Sequence, residues 1–219
     1  MAYFPLVGLI LGGILSALLW ALSPLFEPEP MAAVLVVCLA FLTRALHLDG
    51  LSDTADAIGS GAARKRALEI MKDSAAGSLG VVAVVSVFLL KVTGAVTLCR
   101  SYAWQFLILS PCLSRWSLCA LAALSSYARE REGLGSAFCR PCQPSSVVVA
   151  ALTALAASWF LLQVKGLYLF AFVTVMAAIS ASYFKAKFGG VTGDCLGAHL
   201  ETVETMIFVI GASLFSWTR

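Results

Sequence analysis

The chain has 219 residues, of which 60% are hydrophobic and only 12% charged, and its mean hydropathy is +0.92. A soluble domain carries about 25% charged residues, so these values exclude an ordinary soluble protein. They predict an all-α, polytopic integral membrane bundle in which residues 1–219 form a single membrane-embedded domain. The formal net charge of +3 is too small to indicate nucleic acid as a partner. The expected surroundings are the lipid bilayer.

In chain order, seven apolar runs predict about seven spans of ~20 residues each. These runs are Tyr3–Leu25, Met31–Leu46, Leu79–Leu98, Tyr102–Leu124, Val147–Val164, Leu167–Phe184 and Val203–Trp217. In the first run, Gly8 and Gly12 are four residues apart and predict a face for close helix packing. The second run is short for a span. Residues Arg64–Asp73 are patterned as a short amphipathic helix on the membrane surface.

The cysteines do not indicate a metal site or a disulfide framework. Cys139 and Cys142 form one Cys-x-x-Cys pair, and no second pair completes a zinc site. We expect the seven cysteines to be free thiols in a reducing compartment.

The polar stretch that begins at His47 is rich in carboxylates. Asp49, Asp53 and Asp56 follow one another in steps of four and three residues, which place side chains on one face of a helix. Three carboxylates so stacked repel one another unless a cation lies between them. Oxygen ligands without histidine or cysteine partners favour Mg²⁺ over Zn²⁺. The alternative is a solvated polar loop between two spans.

A second polar stretch, residues 188–199, is rich in glycine and contains Asp194. Glycines let backbone N–H groups approach an anion, so the stretch complements the aspartates and favours a diphosphate site. Gly193 and Gly197 are also four residues apart and are equally compatible with simple helix packing.

Two basic residues lie in the interior of predicted spans. Arg115 is about a dozen residues from either end of its span, where a guanidinium costs ~2.5–3.5 kcal/mol on insertion scales. It therefore has a partner, either a phosphate or one of the aspartates. Lys91 lies toward the far end of its span, where we expect it to snorkel. Beside the acidic cluster, His47 has two interpretations: a base or phosphate ligand, and a hydrogen-bonding residue at the membrane interface.

The distribution of basic residues predicts the topology. With the N-terminus in the cytoplasm, Lys91, Arg100, Lys165 and Arg219 lie on the far side. The cytoplasmic side then holds ten basic residues: Arg44, Arg64, Lys65, Arg66, Lys72, Arg129, Arg131, Arg140, Lys185 and Lys187. The positive-inside rule favours this orientation, which places both polar stretches at the cytoplasmic face.

Four motifs in this order resemble the cobalamin synthase family, also called adenosylcobinamide-GDP ribazoletransferase. They are His47-Leu-Asp-Gly-Leu-Ser-Asp-Thr-Ala-Asp, Glu69-Ile-Met-Lys-Asp-Ser, Tyr127-Ala-Arg-Glu and Gly189-Gly-Val-Thr-Gly-Asp-Cys-Leu-Gly-Ala. The opening Phe4-Pro-Leu-Val-Gly-Leu-Ile-Leu-Gly also matches, so the resemblance covers nearly the whole chain. Two departures are Ala57, where the family often has glycine, and Ala75-Ala76, where it has a more polar dipeptide.

The resemblance implies a transferase in the cytoplasmic (inner) membrane of a bacterium or archaeon. A ribose hydroxyl of α-ribazole, or of its 5′-phosphate, attacks the cobinamide-side phosphorus of adenosylcobinamide-GDP with Mg²⁺ assistance, and GMP leaves. An oligomer is compatible with this activity.

The resemblance also assigns roles to individual residues. Asp49, Asp53 and Asp56 are expected Mg²⁺ ligands, and Asp73 and Asp194 are further ligands or the general base. A second set is expected to bind substrate and neutralise phosphate charge: Lys72, Arg115, Arg129, Arg131, Gly189, Gly190, Thr192 and Gly193. His47 completes the expected catalytic residues.

Two other classes compete with this interpretation. A CDP-alcohol phosphotransferase performs a related reaction and also begins its motif with Asp-Gly, but its pattern fails here at Asp53-Thr54. A small transporter would place charges at mid-membrane on broken helices, whereas most charges here are in one-sided loops.

Overall fold

A computed structural model of the protein describes residues 1–73, 75–128 and 144–216, without the side chains of 215 and 216. The described residues form eight helices. They are α1 (Phe4–Leu22), α2 (Pro28–Leu42), α3 (Leu46–Gly59), α4 (Arg64–Ile70), α5 (Ser78–Arg100), α6 (Trp104–Ala123), α7 (Pro144–Phe188) and α8 (Gly193–Ser216). The predicted all-α membrane bundle is confirmed.

Five helices, α1, α5, α6, α7 and α8, are long and apolar enough to cross a membrane. The 45 residues of α7 would extend about 68 Å if straight, more than twice a bilayer core of ~30 Å. The helix instead turns back at Gln163, whose φ of 50° and ψ of −130° are not helical, so that Gly166 packs against the backbone of Ser158. The helix α7 therefore contains the two predicted runs on either side of this turn.

A sharp bend separates α2 from α3, whose axes differ by 89°. Arg44 and Ala45 form the corner, each with a φ of 54°. Residues other than glycine rarely adopt this left-handed conformation, so the corner is a strained point of the fold. The predicted second span is thus a helix that breaks at its C-terminal end and continues in a new direction.

Helix α6 forms the centre of the bundle, and most of its side chains are buried. Helix α1 lies directly on it, because a Cβ atom at Gly8 would overlap the carbonyl oxygen of Pro111 and one at Gly12 would overlap Ile108. The predicted packing role of these two glycines is confirmed.

The last helix corrects the sequence prediction. It begins at Gly193, ten residues before the predicted start at Val203, and only residues 189–192 separate it from α7. The prediction was wrong because Glu201 and Glu204 interrupt the apolar pattern at this point of the sequence. Both are buried inside the bundle, where each carboxylate lies 2.6 Å from the Lys91 ammonium.

The same contacts overturn the prediction for Lys91, which is 4% exposed and does not snorkel. Arg115 is also buried and makes an ion pair, but the partner is Glu204, 3.7 Å away, and not an aspartate.

Smaller predictions have mixed outcomes. Helix α4 is a short helix as predicted but ends at Ile70. Five cysteines of the described segments are free: Cys38, Cys99, Cys112, Cys119 and Cys195. Cys139 and Cys142 lie outside the described residues.

Candidate active site

A cavity of about 560 Å³ lies between α1, the α2–α3 corner, α6 and α8. Its charged and polar residues are Thr43, His47, Asp49, Arg115 and Asp194. The apolar wall consists of Phe4, Val7, Leu11, Leu42, Leu46, Leu118, Leu196 and Leu200. The structure therefore brings together residues from both polar stretches and the buried arginine in one cavity.

Glycine contacts between α3 and α8 create this juxtaposition. A Cβ atom at Gly50 would lie 2.8 Å from the carbonyl oxygen of Asp194, and one at Gly197 would lie 3.1 Å from that of His47. The two helices consequently cross with their backbones in contact. Both begin at the cavity, since Leu46 and Gly193 are their first residues. Free N–H groups and the helix dipole make such ends favourable for anions.

The aspartates of α3 have different surroundings. Asp49 is exposed and lines the cavity, and Asp53 is half-buried on the next turn. Asp56 turns toward the start of α5, where its two carboxylate oxygens accept hydrogen bonds from the N–H groups of Gly77 (2.7 Å) and Gly80 (2.8 Å). Asp56 therefore caps α5 from a neighbouring helix, a role that sequence spacing did not reveal. Its assignment as a metal ligand stays a prediction.

Asp194 lies in the first turn of α8 but is not the residue that caps it. The cap is Thr192, whose hydroxyl accepts the Cys195 N–H (3.2 Å) and lies 3.2 Å from Asp194 Oδ2. Thr192 is fully buried and does not line the cavity. The structure gives Thr192 a capping role, and its assignment to substrate binding stays a prediction. The Asp194 carboxylate is half-buried at the cavity.

The geometry of the glycine connection is set by its neighbours. Gly189 has a φ of +76° and lies against the Arg64 guanidinium, and Gly190 has a φ of +155° and lies against the carbonyl of Ser126. A hydrogen bond from the Val191 N–H to that carbonyl (2.9 Å) fixes the connection further. Gly189 and Gly190 are therefore explained by local packing, and Gly193 is part of α8 and lines the cavity.

The Glu69-Ile-Met-Lys-Asp-Ser motif approaches the start of α8. The Met71 sulfur lies 3.8 Å from the Thr192 hydroxyl, which places the exposed Lys72 and Asp73 near this helix end. Neither residue lines the cavity. Arg129 and Arg131, predicted to bind phosphate and substrate, lie outside the described residues.

A preformed metal cluster is not present among the described residues, since no group of three or more histidine, cysteine, aspartate or glutamate side chains converges. Two carboxylates, Asp49 and Asp194, do line the same cavity. Mg²⁺ retains several waters and usually enters with substrate phosphates, held by one or two carboxylates. The donor set fits Mg²⁺ bound in this manner.

Buried charges behind the cavity form an ionic cluster, defined here as Lys91, Arg115, Glu201 and Glu204. Arg115 belongs to both the cluster and the cavity wall. Glu201 and Glu204 were not predicted from the sequence to belong to the ionic cluster. Their only sequence signal was two acids at a helical spacing of three within an otherwise apolar run.

The two histidines differ in their contacts. His47 lines the cavity, and its Nδ1 atom is buried with no hydrogen-bond partner in the described part of the chain. A polar atom in this state is ready to accept a proton or a ligand hydrogen bond. His199, which was given no role, is buried and satisfied by Ser117 (2.6 Å) and Ser180 (2.9 Å).

Together, the helical fold and the cavity define a polytopic membrane protein with charged side chains around one internal cavity. The family described as cobalamin-5-phosphate synthase matches residues 1–212. The chain belongs to this enzyme family.

Relatives in several bacteria carry the name adenosylcobinamide-GDP ribazoletransferase. The protein of Caldanaerobacter subterraneus subsp. tengcongensis is 36% identical over 209 residues, which cover 95% of this chain and 84% of the relative. That of Acetivibrio thermocellus is 35% identical, covering 96% and 85%. That of Geotalea daltonii is 38% identical, covering 94% and 83%. No solved structure matches the chain.

Proposed function

We propose that this chain joins adenosylcobinamide-GDP to α-ribazole, or to α-ribazole 5′-phosphate, with release of GMP. The observation that carries the proposal is the cavity in which Asp49 and Asp194, 145 positions apart, meet Arg115. Family membership supplies the substrates, since the relatives are named for this reaction.

In the proposed reaction, a ribose hydroxyl oxygen attacks the phosphorus that bears the cobinamide. A new P–O bond forms, the P–O bond to GMP breaks, and GMP leaves with the bonding electron pair. The attacking hydroxyl loses its proton. Such reactions depend chiefly on positioning and on neutralisation of phosphate charge.

Charge neutralisation is assigned to the polar end of the cavity. The Arg115 guanidinium binds phosphate oxygens, and the first turns of α3 and α8 direct N–H groups toward them. Asp49 and Asp194 hold Mg²⁺, with Asp53 and Asp73 as further oxygen ligands. When bound, this ion neutralises diphosphate charge as a Lewis acid. Lys72, Arg129 and Arg131 supply further positive charge for the substrate.

His47 is the proposed proton acceptor. It lines the cavity, and its unpartnered Nδ1 atom accepts the proton of the attacking hydroxyl.

The size of the cavity suits part of the substrate. Its volume of about 560 Å³ is within the ~300–1,000 Å³ of small-molecule sites. It accommodates the diphosphate and the ribose, and the rest of the large cobinamide lies outside.

The proposed setting is the cytoplasmic membrane of a bacterium or archaeon, with the cavity open to the cytoplasm, where GDP-linked substrates and Mg²⁺ are present. The ten basic residues on this side, against four on the other, support the orientation. Family membership favours the transferase over the CDP-alcohol phosphotransferase and the transporter that the sequence alone left open.

The decisive experiment incubates the purified protein with adenosylcobinamide-GDP, α-ribazole and Mg²⁺, and chromatography measures GMP and cobamide. We expect both products in equal amounts, and none in excess EDTA. Absence of GMP with folded protein in the presence of Mg²⁺ contradicts the transferase. Flux of an unmodified substrate into vesicles, without conversion, supports the transporter instead.

A further inference from the structure

The Arg115 guanidinium is held from one side. Its Nη1 atom donates to the Pro111 carbonyl at 3.0 Å and lies 3.7 Å from Glu204 Oε2. In the described part of the chain, these polar contacts both involve Nη1. The rest of the guanidinium, with its further N–H donors, remains for a ligand in the cavity that Arg115 lines.

Glu204 is itself fixed by two other helices. Its Oε1 atom lies 2.6 Å from the Lys91 ammonium of α5. The Ser114 hydroxyl of α6 is 3.4 Å from Oε2, and the Ser110 hydroxyl donates to the Glu204 carbonyl at 3.0 Å. Only 2% of the residue is exposed, so its carboxylate has little freedom to move.

We infer that Glu204 is a positioning residue, which orients the Arg115 guanidinium toward the reactant phosphate in the cavity. The inference rests on the proposed function, in which Arg115 binds that phosphate. Glu204 does not line the cavity and makes no contact with substrate. It acts on the bound phosphate through the Arg115 guanidinium, which its carboxylate approaches.

Glu201 is a matched control. Like Glu204, it is a buried α8 carboxylate 2.6 Å from Lys91, but it makes no ion pair with Arg115 among the described contacts. Glu201→Gln and Glu204→Gln therefore remove one carboxylate each, weaken the same lysine contact and leave the same excess positive charge. They differ in the contact to Arg115 and in the longer approach of the Ser114 hydroxyl, 3.4 Å from Glu204 Oε2.

The experiment compares Glu204→Gln, Glu201→Gln and Arg115→Lys. It measures KM for adenosylcobinamide-GDP, kcat and the calorimetric Kd for GMP. We expect Glu204→Gln and Arg115→Lys each to raise KM and the GMP Kd by about tenfold, the effect of one lost charge-assisted interaction. Glu201→Gln should stay within about twofold of the parent protein. The combined Glu204→Gln and Arg115→Lys variant should be hardly worse than Arg115→Lys, because the two residues act as a unit.

Each glutamine substitution leaves one buried positive charge unbalanced, and such a charge destabilises the fold. Variants in which Lys91 is also replaced remove this imbalance. Lys91→Met combined with Glu204→Gln should keep the raised GMP Kd, and Lys91→Met combined with Glu201→Gln should have the parent value. Equal effects of the two glutamine substitutions on GMP binding overturn the positioning role. An Arg115→Lys variant that binds GMP normally overturns it together with the phosphate role of Arg115. If the parent protein binds GMP but makes no product, the proposed function fails and the GMP Kd values still decide the inference.

Discussion

Gly50 of α3 lies on the backbone of Asp194 in α8, since a Cβ atom at Gly50 would be 2.8 Å from the carbonyl oxygen and 2.9 Å from the Cα of Asp194. This contact joins two stretches that are distant in sequence and places Asp49 and Asp194 at one cavity. Because backbone atoms cannot yield as a flexible side chain does, only glycine permits this crossing.

Gly50→Ala should therefore separate α3 from α8 and lower both stability and activity. Overpacking of this kind costs ~1–3 kcal/mol. The control is Gly13→Ala in α1, where nothing lies within 4 Å of the new methyl group and helix propensity predicts unchanged or slightly greater stability. Thermal unfolding in detergent and GMP release measure the two effects. Equal behaviour of both variants would contradict the proposed crossing.

Asp56 should prove to be a stabilising cap of α5. Asp56→Asn replaces one of two accepting oxygens by an NH₂ group, so the Gly77 or Gly80 N–H loses its partner. We expect a loss of ~1–2 kcal/mol of stability, measured as a lower Tm. The exposed Glu69→Gln is the control and should leave Tm unchanged. Loss of activity at an unchanged Tm would instead support Asp56 as a metal ligand.

Sequence patterns predicted those features that depend on residues close together in the chain. The apolar runs identified the membrane helices, and the spacing of Gly8 and Gly12 identified the face of α1 that contacts Pro111 and Ile108. The steps from Asp49 to Asp53 and Asp56 correctly indicated a helix. Each of these patterns lies within a single helix and can be recognised from neighbouring residues alone.

Features that depend on partners from other helices were missed. The contacts of Lys91 with Glu201 and Glu204 were not predicted, because nothing in the sequence indicates that α5 and α8 bring these charges within 2.6 Å of each other. Asp56 shares the spacing of a metal ligand, and only the position of α5 reveals its capping role. The corner between α2 and α3 was not predicted, because the left-handed φ of Arg44 depends on the surrounding fold and not on local propensity.

The topology predicts which loops are accessible from outside the cell. In a cysteine-free version, Ala62→Cys, between α3 and α4, should be shielded from an impermeant thiol reagent in intact cells. Leu25→Cys, between α1 and α2 and 74% exposed, should be labelled. Permeabilised cells provide the control, since both positions should then react. Labelling of residue 62 from outside would reverse the orientation and place the cavity on the other side.

His47 should affect the chemical step more than binding. His47→Ala removes the proposed proton acceptor and should lower kcat by about 100-fold or more, with KM changed only a few-fold. His199→Gln is the comparison, because His199 is buried between Ser117 and Ser180 and should affect stability rather than kcat. A rise in KM with normal kcat would assign His47 to substrate binding instead.

The last prediction tests whether the two polar stretches act as one site. Asp49→Asn and Asp194→Asn should each lower kcat by about 100-fold or more, because metal-assisted charge stabilisation is worth several kcal/mol. The double variant should be hardly worse than either single variant, since residues that act as a unit are not additive. The Asp194 variant should remain folded because Thr192, and not Asp194, supplies the cap of α8. Glu27→Gln, an exposed acid at the opposite end of the bundle, should have normal activity. Near-normal turnover in Asp194→Asn would remove the second stretch from the site and leave Gly50 and Gly197 as a purely structural contact.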